Sequence, residues 1–258
     1  MSNRTERKGR YGVDGPGWLF GLCAGVAAPL LAVAAGGPRW LLRIPPVFAA
    51  PAGLYLHSTL RGKFLVWEEQ LDALCLSGDE HVLDLGCGRG AVLTAVARRV
   101  PKGRVTGVDL WRSVDQSGND ERATTDNISR AGIVAETELV TADMRKLPLE
   151  SDRFDLVVSS MAIHNIPGAA GRGAAVREAY RVLKPGGRLL ISDILHTSDY
   201  LDVLHTTDAV NISRVGAGPR MWWSGPWVGT AVVSAEKPPA APGPGPGEPS
   251  HPDPNEND

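Results

Sequence analysis

The chain has 258 residues, room for one full-sized domain with appendages but not for two large domains. Its 27 lysines and arginines against 29 aspartates and glutamates leave a net charge of −2, so no general basic field exists to hold a nucleic acid. A hydrophobic content of 43% excludes wholesale disorder; Cys23, Cys75 and Cys87, without CxxC spacing, exclude a disulfide framework and a structural zinc site and fit a reducing compartment.

Residues 1–60 read as a hydrophobic, membrane-associated segment. Arg4, Arg7, Lys8 and Arg10 precede an uncharged run over 18–35. As a helix rising 1.5 Å per residue, that run spans about 27 Å, near the hydrocarbon thickness of a bilayer. A second apolar stretch, 40–56, contains Arg43, Pro45, Pro46 and Pro51, which bars a straight lipid-buried helix and suggests a weak second span or an interfacial segment. Basic residues at the start and again at Arg61 and Lys63 place both ends of such a hairpin on the cytoplasmic side. A membrane location with a cytoplasmic catalytic domain is therefore expected, through residues 18–56. The competing readings are a signal sequence cleaved at Ala32-Val33-Ala34 and a helical hairpin packed on a soluble cytoplasmic domain.

From 61 to 236 strands and helices alternate. Apolar runs predict strands at 81–85, 104–110, 138–141, 154–160 and 188–194, with helices at 63–75, 91–99, 122–131 and 174–183. Lys184-Pro185-Gly186-Gly187 reads as a helix stop and turn. A helix at 198–208 and strands at 211–216 and 228–236 follow, the last two as an antiparallel hairpin. The fold class is α/β: a doubly wound, mostly parallel seven-stranded Rossmann-like sheet covered on both faces, with hydrophobic helical segments at the N-terminus. The tail 237–258, rich in proline, glycine and acids, has nothing to bury and is expected to be disordered.

Val82-Leu83-Asp84-Leu85-Gly86-Cys87-Gly88-Arg89-Gly90 is an apolar strand entering a glycine turn ahead of a helix. Ligands of such sheets bind beyond the carboxyl ends of the strands, where glycine lets the backbone approach them. Gly86, Gly88 and Ala91 also satisfy the G-x-G-x-x-G/A pattern of a dinucleotide site. Asp84 decides: its carboxylate repels a pyrophosphate and suits a ligand carrying an ammonium and a sulfonium, which points to S-adenosylmethionine.

Over about 64–236 the sequence resembles the class I S-adenosylmethionine-dependent methyltransferases, in which a D-x-G-x-G-x-G turn cradles the methionine part of the donor. Asp84, Gly86, Gly88 and Gly90 match that turn, with Cys87 inside it. The resemblance implies that Asp109, 23 residues after Gly86, accepts from the ribose hydroxyls. It also implies that Leu110 or Trp111 covers the adenine, that Asp143 meets the adenine amino group, and that the Met144 amide meets the ring. Ser159 and the following Met161-Ala162-Ile163-His164-Asn165-Ile166 stretch should line the methyl-transfer side, and Asp193 should face the acceptor. His164 is the candidate general base because imidazole titrates near neutral pH, with a hydrogen-bonded histidine that shapes the loop as the alternative. Asn165 is a candidate either to orient an acceptor oxygen or to cap the turn before Pro167.

Ser159-Ser160-Met161-Ala162 stands where enzymes that methylate nucleic-acid amino groups carry (N/D)-P-P-(Y/F), which argues against a nucleic-acid substrate. No HxxxD or carboxylate cluster calls for a metal. The polar stretch 111–127 is a candidate lid over the adenosine or a plain surface loop. Trp222, Trp223 and Trp227 are candidates to wall an apolar acceptor, with core packing as the alternative. The expected function is methyl transfer to a small apolar or lipid-like acceptor at the cytoplasmic membrane face; the alternative is a catalytically silent donor-binding regulator or scaffold.

Overall fold

The computed structural model describes residues 10–240, so Arg4, Arg7, Lys8 and the tail beyond 240 lie outside the described residues. The strands are β1 (His81–Leu85), β2 (Arg104–Asp109), β3 (Glu136–Thr141), β4 (Phe154–Ser160), β5 (Leu183–Asp193), β6 (Val210–Gly216) and β7 (Ala231–Glu236). They form one sheet in the order β3-β2-β1-β4-β5-β7-β6. β1 to β5 run parallel, while β7 pairs antiparallel with both β5 and β6. The sheet is thus the expected seven-stranded, mostly parallel one with an antiparallel end.

Its centre is dry because β1 and β4 carry almost unbroken apolar runs, as strands covered on both faces must. Alternation then sorts the side chains. Leu83, Leu85 and Val157 join the core beneath α6 (Ala169–Arg181) and α7 (Thr197–Leu204). Val82, Leu156 and Val158 join the core beneath α3 (Lys63–Ala73) and α4 (Ala91–Ala97). The remaining helix of the parallel half, α5 (Glu121–Ala131), starts at Asp120, whose side chain accepts from the Arg122 amide.

Several boundaries differ from expectation, three of them with a visible cause. β5 begins at Leu183, so Lys184 to Gly187 are strand and not a turn; Gly186 N donates to Lys237 O and Lys237 N to Gly187 O, and that pairing overrides the Pro-Gly-Gly signal. α6 begins at Ala169, its first turns hidden by Gly171 and Gly173, which are poor helix formers. β7 begins only at Ala231, because Trp223 N donates to Val228 O and folds 222–229 into a tight loop.

Ahead of the sheet, α1 (Pro16–Ala34) runs outward, a short 3-10 turn (Arg39–Arg43) reverses the chain, and α2 (Pro45–His57) returns. The prolines do not prevent this second helix: Pro45 and Pro46 occupy its first turn, where no amide hydrogen is needed, and only Pro51 lies inside. Gly25 lets the Phe48 ring settle against α1, since a Cβ there would lie 2.5 Å from it. A π turn (Ser58–Gly62) carries α2 directly into α3. Gly62 has the carbonyl of Arg220 where its Cβ would stand.

The base of this hairpin packs on the domain, with Tyr55 edge-on to Trp223 at 5.1 Å and Val66, Met221 and Val232 around them. Above the base it is bare. α1 buries no residue, and Phe20 and Leu31 are 75% and 69% exposed. Among the described residues α1 is the one helix long and apolar enough to cross a membrane.

Candidate active site

The strand order reverses between β1 and β4, and a crevice opens there, beyond the carboxyl ends of the central strands. Its floor is the glycine turn. Gly86 N and Cys87 N both donate to Val108 O, at 2.8 and 3.1 Å, and Gly86, Gly88 and Gly90 all have positive φ. At Gly86 the demand is steric as well: with φ +72°, an added Cβ would lie 2.2 Å from the Ala162 Cβ. Gly86→Ala is therefore expected to cost about 2–4 kcal/mol, left-handed strain plus overpacking, read as a lower denaturant midpoint.

Asp84 follows Val82 onto the α3/α4 face and is buried, and neither of its oxygens makes a hydrogen bond of normal geometry. Burial pushes its pKa up to about 7; the Leu93 amide offsets part of this and the Asp109 charge adds to it. An orphaned buried carboxylate is costly unless a positive ligand completes it.

Asp109 ends β2 and ties the turn to the next loop. Its Oδ2 accepts from Gly88 N at 2.8 Å, and its Oδ1 accepts from Trp111 N and Asn119 Nδ2. Leu110 lines the crevice, whereas Trp111 leans on β3, donating from Nε1 to Thr141 Oγ1 at 2.7 Å. Asp143 and Met144 line the same side, with the Arg145 guanidinium holding the Asp143 carboxyl below its ordinary pKa.

Other candidates are placed differently. Ser159 is buried with its hydroxyl donating to Leu85 O, and its neighbour Ser160 lines the crevice instead, held by Trp67 Nε1 at 2.8 Å. Asn165 lines the crevice. His164 stands behind it, its Nδ1 on the Asp193 carboxylate and its amide on Asp193 Oδ2. Asp193, fully buried, also accepts from Ile194 N and from the Tyr200 hydroxyl, so it holds His164 and does not face an acceptor itself. On the crevice wall, burial raises the pKa of the Asp115 carboxyl and the Arg112 guanidinium opposes it. None of Trp222, Trp223 and Trp227 lines the crevice; Trp223 is core at 2% exposure, donating to Thr230 Oγ1, and Trp227 is 75% exposed.

The structure adds residues that sequence reasoning missed. Residues 11–15 form a strap across the crevice. Tyr11 shares a hydrogen bond with Thr94, Val13 N donates to Ser117 Oγ, and Gln116 Nε2 donates to Asp14 Oδ1 while its Oε1 accepts from Arg89 N. Asp14 Oδ2 also takes Lys63 Nζ at 2.6 Å. The only advance signal was the polar stretch 111–127, whose first part is this loop and whose end is α5.

Five acids line the crevice, Asp14, Asp84, Asp109, Asp115 and Asp143, against three cations, Lys63, Arg112 and Arg145. Such a wall repels a diphosphate and fits a ligand with a positive centre beside Asp84 and a diol beside Asp109, which is the shape of S-adenosylmethionine. Among the described residues no group of His, Cys, Asp and Glu is arranged to hold a metal.

A family profile described as a methyltransferase domain matches residues 83–191. Sterol 4-C-methyltransferase strm-1 of Caenorhabditis elegans is 32% identical over 157 residues, 61% of this chain and 42% of that protein. The ubiquinone/menaquinone biosynthesis C-methyltransferase UbiE of Hydrogenovibrio crunogenus is 34% identical over 156 residues, 58% of this chain and 57% of its own length. The chain thus spans about half the length of these curated relatives. A solved structure of geranyl diphosphate methyltransferase in complex with SAM shares the fold, with a TM-score of 0.55 at 15% identity, covering 67% of this chain and 85% of that one. Residues 83–191 thus match a methyltransferase domain, and the sheet around them has the fold of that solved methyltransferase.

Proposed function

We propose that the protein transfers a methyl group from S-adenosylmethionine to a small apolar or lipid-like acceptor at the cytoplasmic face of a membrane. The observation that carries the donor is Asp84, a buried carboxyl without a hydrogen-bond partner, which a cationic ligand would hold in its ionised form. The acceptor class is supported by the relatives, whose names give a sterol 4-C-methyltransferase and a ubiquinone/menaquinone biosynthesis C-methyltransferase. The membrane is supported by the bare hairpin of α1 and α2.

The bound donor supplies an electrophilic methyl group on an already activated leaving group, so the chain's task is alignment. In this reading the glycine turn and Asp84 fix the amino-acid side, and Asp109, Leu110, Asp143 and Met144 fix the adenosine. Holding donor and acceptor in register contributes about 7–11 kcal/mol. Asn165 orients an acceptor oxygen. Asp193 accepts the Nδ1 proton of His164 and leaves Nε2 as the base for an acceptor that must lose a proton.

His164→Ala is expected to lower kcat about 10²- to 10⁴-fold while S-adenosylhomocysteine affinity stays at the wild-type value. The whole reading is tested by calorimetry with S-adenosylhomocysteine and by transfer of labelled methyl to a panel of prenyl quinones and sterols. Absence of binding refutes the donor. Binding without transfer to any acceptor selects a second reading, a donor-binding protein without turnover, which the position of His164 behind the crevice wall favours.

A further inference from the structure

The Asp14–Lys63 pair is the part of the crevice wall to which the donor reading gives no task. Lys63 opens α3 and is 4% exposed, yet its side chain lines the crevice and not the interior of the domain. Its ammonium donates to Asp14 Oδ2 at 2.6 Å, its one hydrogen-bond partner among the described residues. An ammonium has three donors, so this pair has capacity for a second anion. Asp14 is held from several sides, with Thr59 Oγ1 on Oδ2, Gln116 Nε2 on Oδ1 and the Tyr55 hydroxyl on its backbone carbonyl. The pair is built into the strap and the hairpin base and does not dangle from the surface.

Its position decides what it meets. Asp109 ends β2 and Asp143 follows β3, so the ribose and adenine of an extended donor lie toward the β3 edge of the order β3-β2-β1-β4. The amino-acid end then lies over β1 and β4. Lys63 stands on that side, next to Ala91 and Val92 of α4 and one turn before Trp67, which bonds Ser160 at the end of β4. The other two cations, Arg112 and Arg145, follow β2 and β3, each beside an acid of its own, Asp115 and Asp143. At the amino-acid end Lys63 is therefore the crevice's cation, and Asp14 and Asp84 are its anions.

We propose that Lys63 binds the α-carboxylate of the donor's amino-acid end, and that Asp14 and Asp84 share its ammonium. This rests on the donor reading above. A zwitterion entering here meets opposite charges already placed at hydrogen-bonding distance from each other, so the site is preorganised for that end of the molecule.

The test is calorimetry with three probes: S-adenosylhomocysteine, its decarboxylated analogue, and 5′-methylthioadenosine, which lacks the whole amino-acid end. On the wild-type protein, removing the carboxylate is expected to weaken binding about 10- to 100-fold, the range for a hydrogen bond to a charged group. Lys63→Met is expected to erase that gap and leave methylthioadenosine affinity unchanged. An equal loss for all three probes in Lys63→Met makes the lysine a scaffold residue and overturns the assignment. So does a wild-type protein that binds the decarboxylated analogue as tightly as S-adenosylhomocysteine, a result that needs no variant to fold. Failure of the wild type to bind any probe removes the donor reading itself, and the assignment with it.

Discussion

Asp84→Asn is expected to stabilise the ligand-free protein at pH 8 and to weaken S-adenosylhomocysteine binding at least 100-fold. In the unfolded chain this carboxyl ionises near 3.8, whereas in the fold it keeps its proton up to about 7. The folded state therefore binds the proton more tightly. Below pH 4 both states are protonated and the group is neutral toward stability. Between 4 and 7 stability falls as pH rises, and above 7 the buried charge is a constant burden on the order of 4 kcal/mol. Asparagine removes the charge but keeps a buried polar group, so a part of that figure is recovered, a rise in Tm of several degrees at pH 8 and little change at pH 4. Binding moves the other way, because a cationic ligand needs the ionised form. Wild-type affinity should climb as pH rises through 7 with uptake of a proton by the buffer, and the variant should be flat. Thermal melts at pH 4 and 8, with calorimetry in two buffers of different ionisation enthalpy, read both effects. Unchanged affinity in Asp84→Asn would remove the electrostatic basis of the donor assignment.

What the sequence discloses about this site is what lies next to a strand end. Asp84, Asp109 and Asp143 each follow an apolar run, so the pattern that locates the strands also locates the acids around the crevice. Side chains whose partners are distant in sequence left no such mark. Asp14 meets Lys63 and Gln116 across 49 and 102 residues, and no periodicity connects them. Ser159 and Ser160 are equivalent as letters; the pleat of β4 sends one to the Leu85 carbonyl and the other to Trp67. Trp223 and Trp227 share one apolar segment, yet only Trp223 has Tyr55 to stack on, and it alone is core. The second apolar stretch is a helix despite its prolines because two of them fall in the first turn, a position that the composition of the stretch does not reveal.

Phe20→Asp combined with Leu31→Asp is expected to release the protein from phospholipid vesicles by at least 10³-fold. The two positions are 11 residues apart, about three helical turns, so they share a face of α1, and both are exposed. An aspartate within a membrane-buried helix costs about 2.5–3.5 kcal/mol near its centre and less toward an end, so the pair loses several kcal/mol of insertion energy. At the tip, Trp40 lies between Arg39 and Arg43, a composition suited to the headgroup layer, while the base is fixed on the domain through Tyr55 and Trp223. Apolar insertion also predicts that flotation of the wild type with vesicles survives high salt, where attachment through basic residues alone would be screened. Neither Phe20 nor Leu31 lines the crevice, so S-adenosylhomocysteine affinity should be the same in the double variant as in the wild type. A wild-type protein that stays in the supernatant at every salt concentration would require another partner for the bare hairpin. The membrane part of the reading would then fail while the donor site stood, because the acids that define that site are held by the sheet and not by the outer turns of α1.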